Sequence, residues 1–240
     1  MTNFLVHRLF LTPIFSYIGA ISLLWSLYTL AVSFNLVWAI TLILGIVALL
    51  IGNTVGLHRL FCHQAFETNK IWHIVLAYFG TLCIYGSTVQ WAGMHMTHHQ
   101  FSDTDKDPHF TGWTYLFWKK HNPILMNKRA IIRLYKSQLH RFLHDYYVLV
   151  VGLTIGFLWW VGGFYTLVFC YLAPLGWLHF VESIHKVFSH GRAGPLDQGW
   201  LEIPLCTGGE WNHKYHHENP KDIRFGKLDL GYWFIKLIRR

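Results

Sequence analysis

Four apolar runs constrain this chain more than any other feature: Leu9–Val32, Leu36–Leu57, Tyr146–Val161 with its continuation to Gly163, and Phe164–Val181. A helix needs ~20 residues to cross a bilayer. Inside hydrocarbon every backbone N–H and C=O must find a partner within its own segment, so runs of this length are helices. The chain as a whole agrees, being 53% hydrophobic and only 13% charged, which is a membrane-protein composition. The expected fold class is an all-α membrane protein, a single domain over 1–240, with four transmembrane helices plus interfacial helices.

Charge placement orients these helices. Arg8 precedes the first run, and the turns Ser33–Asn35 and Gly162–Gly163 carry no Lys or Arg. Every other basic residue lies between Arg59 and Arg141 or from Lys186 onward. The positive-inside rule then puts both termini, and the parts 58–145 and 182–240, on the cytoplasmic side. The net charge of +8 does not point to nucleic acid. Lys119, Lys120, Lys128, Arg129, Arg133, Lys136 and Arg141 alternate with Trp118, Ile124, Leu125, Ile131, Ile132, Leu134 and Leu139, the pattern of a basic amphipathic segment at a head-group surface. The four cysteines form no CxxC pair and suggest no disulfide framework.

The chemistry lies in three histidine clusters: His58-x4-His63, His95-x-x-His98-His99 and His213-x-x-His216-His217. Imidazole is the commonest protein metal ligand. Positions i, i+3 and i+4 share a helix face, so each HxxHH is expected to aim three rings at one place. His58 and His63 differ: five residues at ~100° each put them about 140° apart on an ideal α-helix. They share an ion only if the helix ends between them, which favours two metals over one. Because His63 and His95 must reach the same site, the fifth apolar stretch, Ile71–Val89, is expected to be interfacial or re-entrant rather than a single crossing.

These residues resemble the membrane fatty-acyl desaturases of the Δ9 type. Asn53-Thr-Val-Gly-Leu-His58-Arg59-Leu-Phe61-Cys-His63 is similar to the family's first box. Trp91-x3-His95-x-x-His98-His99-x-Phe101-Ser102-Asp103-Thr104-Asp105-x-Asp107-Pro108-His109 is similar to the second, and Gly209-Glu210-x-x-His213-x-Tyr215-His216-His217 to the third. The resemblance runs from about Gly52 to the end of the chain. It implies two irons, held by His58, His63, His95, His98, His99, His213, His216, His217 and a ninth histidine at the cytoplasmic end of the last span, where His185 stands. An asparagine holding a metal-bound water is usual four residues earlier. Here that position is Val181, and Glu182 at −3 is the candidate substitute. Asp103, Asp107 and Glu210 are candidates to fix histidine tautomers by hydrogen bonding. In the family's acyl-CoA branch basic residues flank the first histidine of the second box. Gly93 and Met96 stand there, and Lys214 replaces an asparagine in the third box. These departures favour an acyl-lipid or acyl-carrier-protein substrate over acyl-CoA.

The implied reaction is O2-dependent removal of two hydrogens from a saturated fatty-acyl chain. The sequence carries no dinucleotide fingerprint and no four-cysteine iron–sulfur spacing, so an external donor, a ferredoxin or a b-type cytochrome, is implied. A fatty-acid hydroxylase or ketolase would use the same kind of site. A metal transporter would place ionisable residues deep in the spans, where this chain has almost none. A Δ9 stearoyl chain extends about 11 Å beyond the new bond, roughly 7–8 helical residues. The floor of the substrate tunnel is therefore expected on the second run, at Ile46, Leu49 and Leu50.

Overall fold

The structure, a computed structural model, describes residues 11–108, 126–191 and 194–240. Arg8, Leu9, His109, Trp118, Lys119, Lys120, Ile124 and Leu125, which figure in the sequence argument, lie outside the described residues. Helix α1 is Leu11–Val32, and α2 is Leu36–Leu50, started by the Asn35 side chain accepting from Trp38 N. The α2 rod does not stop at Leu50. It continues as a π-helix through Ile51–Cys62. Helices α3 (Lys70–Leu82) and α4 (Thr88–Phe101) follow, then α5 (Lys128–Tyr135) and α6 (Gln138–Asp145). Helix α7 (Tyr147–Leu167) passes through a π segment, Val168–Leu172, into α8 (Ala173–Phe188). A two-stranded antiparallel ribbon pairs β1 (His190–Gly191) with β2 (Gly194–Pro195). Helices α9 (His213–Glu218) and α10 (Leu230–Ile238) complete the chain.

Three stretches are long and apolar enough to cross a membrane: Leu11–Val32, Leu36–Cys62 and Tyr147–Phe188. The third has 42 residues, about 63 Å at 1.5 Å per residue, twice the ~30 Å hydrocarbon core. It is interrupted where the sequence places its turn. Gly162 has φ −157°, ψ 24°, and Gly163 has φ 63°, ψ −152°, a backbone state open only to glycine.

The stretch Ile71–Val89 is not one continuous helix. Helix α3 lies against the π-helix, with Phe79 and Gly80 beside Gly52 and Leu76 beside Gly56. The chain then turns at 83–87 and returns as α4, capped by a box in which Ser87 and Gln90 satisfy each other's backbone N–H. The loop is buried, so its carbonyls need partners. Three side chains from other helices supply them. Tyr171 donates to Leu82 O at 2.9 Å, His179 Nε2 to Cys83 O at 2.8 Å, and Thr12 to Ile84 O at 2.7 Å. The chain thus doubles back within the bundle between α3 and α4, and His63 and His95 stand together with their Nε2 atoms 2.9 Å apart. Among the described residues of the basic segment, Arg133 is half-buried rather than exposed as the amphipathic pattern suggests. Arg133 donates to Phe61 O at 2.6 Å and to Cys62 O at 3.1 Å, satisfying carbonyls at the end of the π-helix.

Helices α1 and α8 cross at a pair of glycines. A Cβ on Gly176 would meet Gly19 O at 2.1 Å, and one on Gly19 would meet Gly176 N at 2.7 Å. Small residues at a crossing let two backbones approach. Gly176→Val is expected to cost about 1–3 kcal/mol and lower Tm by roughly 3–10 °C. Gly152→Val, where a Cβ meets nothing within 4 Å, should leave Tm unchanged. Thermal unfolding in the same detergent measures both.

Candidate metal centre

His58 and His63 stand on one side of the π-helix because the two residues are joined by one backbone bond. His63 N donates to His58 O at 3.1 Å, the i→i+5 contact that defines a π-turn. In an α-helix the same pair would diverge by about 140°. The wider turn brings both rings into a single group, so the separation expected from sequence is overturned by the local winding.

The histidines form two groups in which the ligating atoms lie within 4.8 Å of one another. The first contains His58, His63, His95, His99 and His216, the second His98, His190, His213 and His217. Neither HxxHH box aims all three rings at one place. Within each box the i, i+4 pair shares a group, His95 with His99 and His213 with His217. The remaining member, His98 or His216, goes to the other group. Adjacent residues on a helix point ~100° apart, so the boxes divide between two neighbouring sites and stitch them together.

In each group the Nε2 atoms face inward. His58 and His216 are separated by 2.9 Å, His63 and His95 by 2.9 Å, His95 and His99 by 3.1 Å, and His99 and His216 by 2.9 Å. In the second group His98–His217 is 3.2 Å, His190–His213 3.0 Å and His213–His217 3.1 Å. Two nitrogens held ~2.1 Å from one ion at right angles lie about 3.0 Å apart, so the spacing fits metal ligation. Burial lowers the pKa values of His95, His98, His99, His213, His216 and His217, and neighbouring imidazoles lower them further. The rings are therefore neutral, the form that binds metal.

Three of the opposite ring nitrogens are tied to carboxylates. His58 Nδ1 lies 2.7 Å from Glu210 Oε2, His98 Nδ1 2.7 Å from Asp107 Oδ2, and His190 Nδ1 3.0 Å from Asp103 Oδ1. Such contacts fix ring orientation and leave Nε2 free for metal. Glu210 also accepts from Thr54 and lies 3.7 Å from Arg59. Burial still pushes its carboxyl up to about 7. Arg59 is fully buried. It makes two 3.1 Å bonds to Asp229 and one of 2.9 Å to Gly208 O, and stacks 4.1 Å above Phe225. Glu202 accepts from the backbone N–H of Thr207, Gly209 and Trp211 and from the Thr207 hydroxyl. It thereby folds the loop that presents Glu210. Thr54, Arg59, Glu202, Phe225 and Asp229 carried no sequence signal for these supporting roles.

Two sequence expectations fall elsewhere. His185 lies in neither group. Its Nε2 donates to Glu210 O at 2.8 Å, and its ring packs edge-on against Trp211 and His213. The chain continues from α8 into β1, and His190 reaches His213 instead. His190 had no distinguishing sequence motif; the only available hint was a second histidine soon after the last span. Glu182 also joins neither group. It accepts from Asn53 Nδ2 at 2.6 Å and, with Asn53, Trp91 and Lys186, lines a cavity of about 40 Å³. That cavity is bordered by His58 and His95 of one group and His98, His190 and His213 of the other. Leu49 and Leu50 are buried in the main core, and Ile46 packs half-buried between the two apolar clusters.

The fatty acid desaturase family model matches residues 33–236. An icosanoyl-CoA 5-desaturase of Limnanthes douglasii is 27% identical, over 86% of this chain and 64% of its own length. The sn-1 stearoyl-lipid 9-desaturase of Anabaena variabilis is 28% identical, over 79% and 75%. A hex-5-enoyl-[acyl-carrier protein] acetylenase of Moorena producens is 28% identical, over 97% and 81%. The chain thus spans less than two thirds of the first of these relatives. His190→Ala should purify with about half the wild-type metal per chain, whereas His185→Ala should retain most of it. Elemental analysis of the purified proteins distinguishes the two, and the opposite ranking would return His185 to the ligand set.

Proposed function

Because the chain belongs to the fatty acid desaturase family, we propose that it inserts a cis double bond into a saturated fatty-acyl chain at a two-iron centre. The ligands in this reading are His58, His63, His95, His99 and His216 for one ion and His98, His190, His213 and His217 for the other. The observation that carries it is the pair of adjacent groups with inward-facing Nε2 atoms, held from behind by Glu210, Asp107 and Asp103. An all-imidazole set does not by itself select iron over zinc, copper or nickel. Membership of the family is what favours iron in this reading. When bound, a redox-active pair supplies O2 activation and abstraction of hydrogen from an unactivated methylene, which redox-inert zinc does not.

The protein's own share is positional. Packing of the neutral imidazoles keeps the ligand shell fixed, and the carboxylates behind His58, His98 and His190 set the tautomers of those three. The cavity between the groups is where the reacting methylenes would lie, with Glu182 and Asn53 on its wall as hydrogen-bonding groups. The balanced reaction consumes one O2, two protons and two electrons and releases two waters. The electrons come from a separate donor, a ferredoxin or b-type cytochrome. The relatives' printed names include CoA, lipid and acyl-carrier-protein carriers. Gly93, Met96 and Lys214 favour an acyl-lipid or acyl-carrier-protein handle here. In the membrane, Gly162–Gly163 divides the third stretch into two spans, giving four, with the histidine boxes on the cytoplasmic side.

Expression in a host lacking unsaturated fatty acids, followed by gas chromatography of its lipids, tests the reaction. A new monounsaturated chain is expected from the wild type and none from His98→Ala. A hydroxylated product, or no product with both irons bound and a donor supplied, would overturn the reading. The tunnel floor is tested by replacing Ile46, Leu49 and Leu50 singly with Trp. At least one variant should lose eighteen-carbon product while retaining sixteen-carbon product. Equal loss of both in all three would place the floor elsewhere.

A further inference from the structure

Helix α10 has two apolar faces. Gly231, Ile235 and Ile238 are buried, and Phe234 packs edge-on against Trp72 at 5.4 Å. The opposite side is apolar too. Leu230 is 61% exposed, Trp233 51% and Leu237 82%. At ~100° per residue these three fall within an arc of about 60°, so they form one stripe rather than scattered exposures. A second inner face would explain an apolar stripe, but nothing among the described residues covers this one.

The charges around the stripe have one sign. Lys227, Lys236, Arg239 and Arg240 are exposed on residues 227–240. The sole acid in that stretch, Asp229, is buried, bonded to Arg59 and capping the helix through Tyr232 N. Lys236 lies 5.2 Å from the centre of the Trp233 ring. An apolar stripe containing Trp, whose own stretch 227–240 exposes only Lys and Arg as charges, is the pattern of a helix lying in the plane of a membrane interface.

The position of α10 agrees with that pattern. Thr68 Oγ1 donates to Ile238 O at 2.7 Å, and Arg240 N donates to Glu67 O at 3.0 Å. Glu67 is five residues beyond Cys62, where the second candidate span ends, within roughly 18 Å of chain. Exposed apolar residues also lie close in sequence to the ends of the candidate spans. Ile71 on α3 is 72% exposed, and Phe142 and Tyr146, just before the third candidate span, are 52% and 51%.

We propose that α10 is an interfacial anchor, with Leu230, Trp233 and Leu237 in the acyl region of the leaflet and Lys227, Lys236, Arg239 and Arg240 among its phosphates. The occupant of this surface is lipid, not a protein. The inference stands apart from the desaturase reading, since it uses neither metal nor substrate. Its consequence for the site runs through one residue. Asp229, the N-cap of α10, holds Arg59, which follows His58 in sequence. Seating the helix in the leaflet therefore also fixes the support behind the first histidine box.

The test is depth measured on the full chain in nanodiscs containing anionic lipid. Nitroxide labels are placed at Leu237→Cys, Trp233→Cys and, as an aqueous reference, Lys221→Cys, in a Cys170→Ser, Cys206→Ser background. Labels at 237 and 233 should collide more with O2 than with a water-soluble nickel chelate, and the label at 221 should show the reverse. If the label at 237 meets the chelate as freely as the label at 221, the proposal fails. It also fails if shielding at 237 appears only when an acidic redox protein is added. Should the labelled variants not fold, unmodified protein is irradiated with a lipid carrying a diazirine near its glycerol. Adducts are expected on the tryptic peptide Leu228–Lys236. Adducts confined to peptides of the three candidate spans would overturn the assignment.

Discussion

One backbone hydrogen bond, from His63 N to His58 O, sets the geometry on which the candidate centre depends. Its i→i+5 pitch stacks two histidines that an α-helix would separate. It belongs to a π-helix of twelve residues, Ile51–Cys62, far longer than the single-turn bulges in which such winding usually occurs. The surroundings hold the wide turn open. Gly52 and Gly56 bring α3 against it, Arg133 binds the carbonyls at its end, and Arg59 is locked to Asp229. All but Ile51 of its twelve residues are buried, so the cost of the less favourable winding is met by packing on every side.

The second constraint is charge in a dry place. Arg59, Asp229 and Glu210 are all buried, and a buried charge survives only with partners. The guanidinium joins the π-helix to the C-terminal residues. Glu210 meets Thr54 from the same helix and His58 from the first histidine group. The support and the candidate ligands are thus one network. The loop carrying Glu210 is itself folded around Glu202, whose carboxylate takes the N–H groups of three residues between Thr207 and Trp211.

The bundle solves a further problem, irregular backbone among apolar helices. A hairpin that enters and turns back leaves carbonyls at its tip without partners in its own chain segment. Thr12, Tyr171 and His179 reach those carbonyls from helices α1 and α8 and the π segment between α7 and α8. His179 is one of the few ionisable groups near the apolar helices, and its position is explained by this bond together with Ser16 at 2.5 Å. It holds the hairpin so that α4 presents His95, His98 and His99 beside the end of α2.

Residue types and spacings alone determined the helical membrane class, the break at Gly162–Gly163, and the family. These are local or compositional properties: length of apolar run, a glycine-only turn, and histidines at helical intervals. The tertiary structure alone decided how the histidines divide. His98 and His99 are neighbours in sequence yet face different groups, because adjacent helix positions diverge by ~100°. The sharing of one group by His58 and His63 depended on a winding that no propensity signals. The grouping of His190, rather than His185, with His98, His213 and His217 depended on where β1 carries the chain after α8. Glu182, read as a candidate metal or supporting residue, accepts from Asn53 on the wall of the cavity between the groups, since the approach of α2 to α8 fixes what its carboxylate can reach. Long-range packing made each of these choices, and packing between elements is what a linear pattern does not encode.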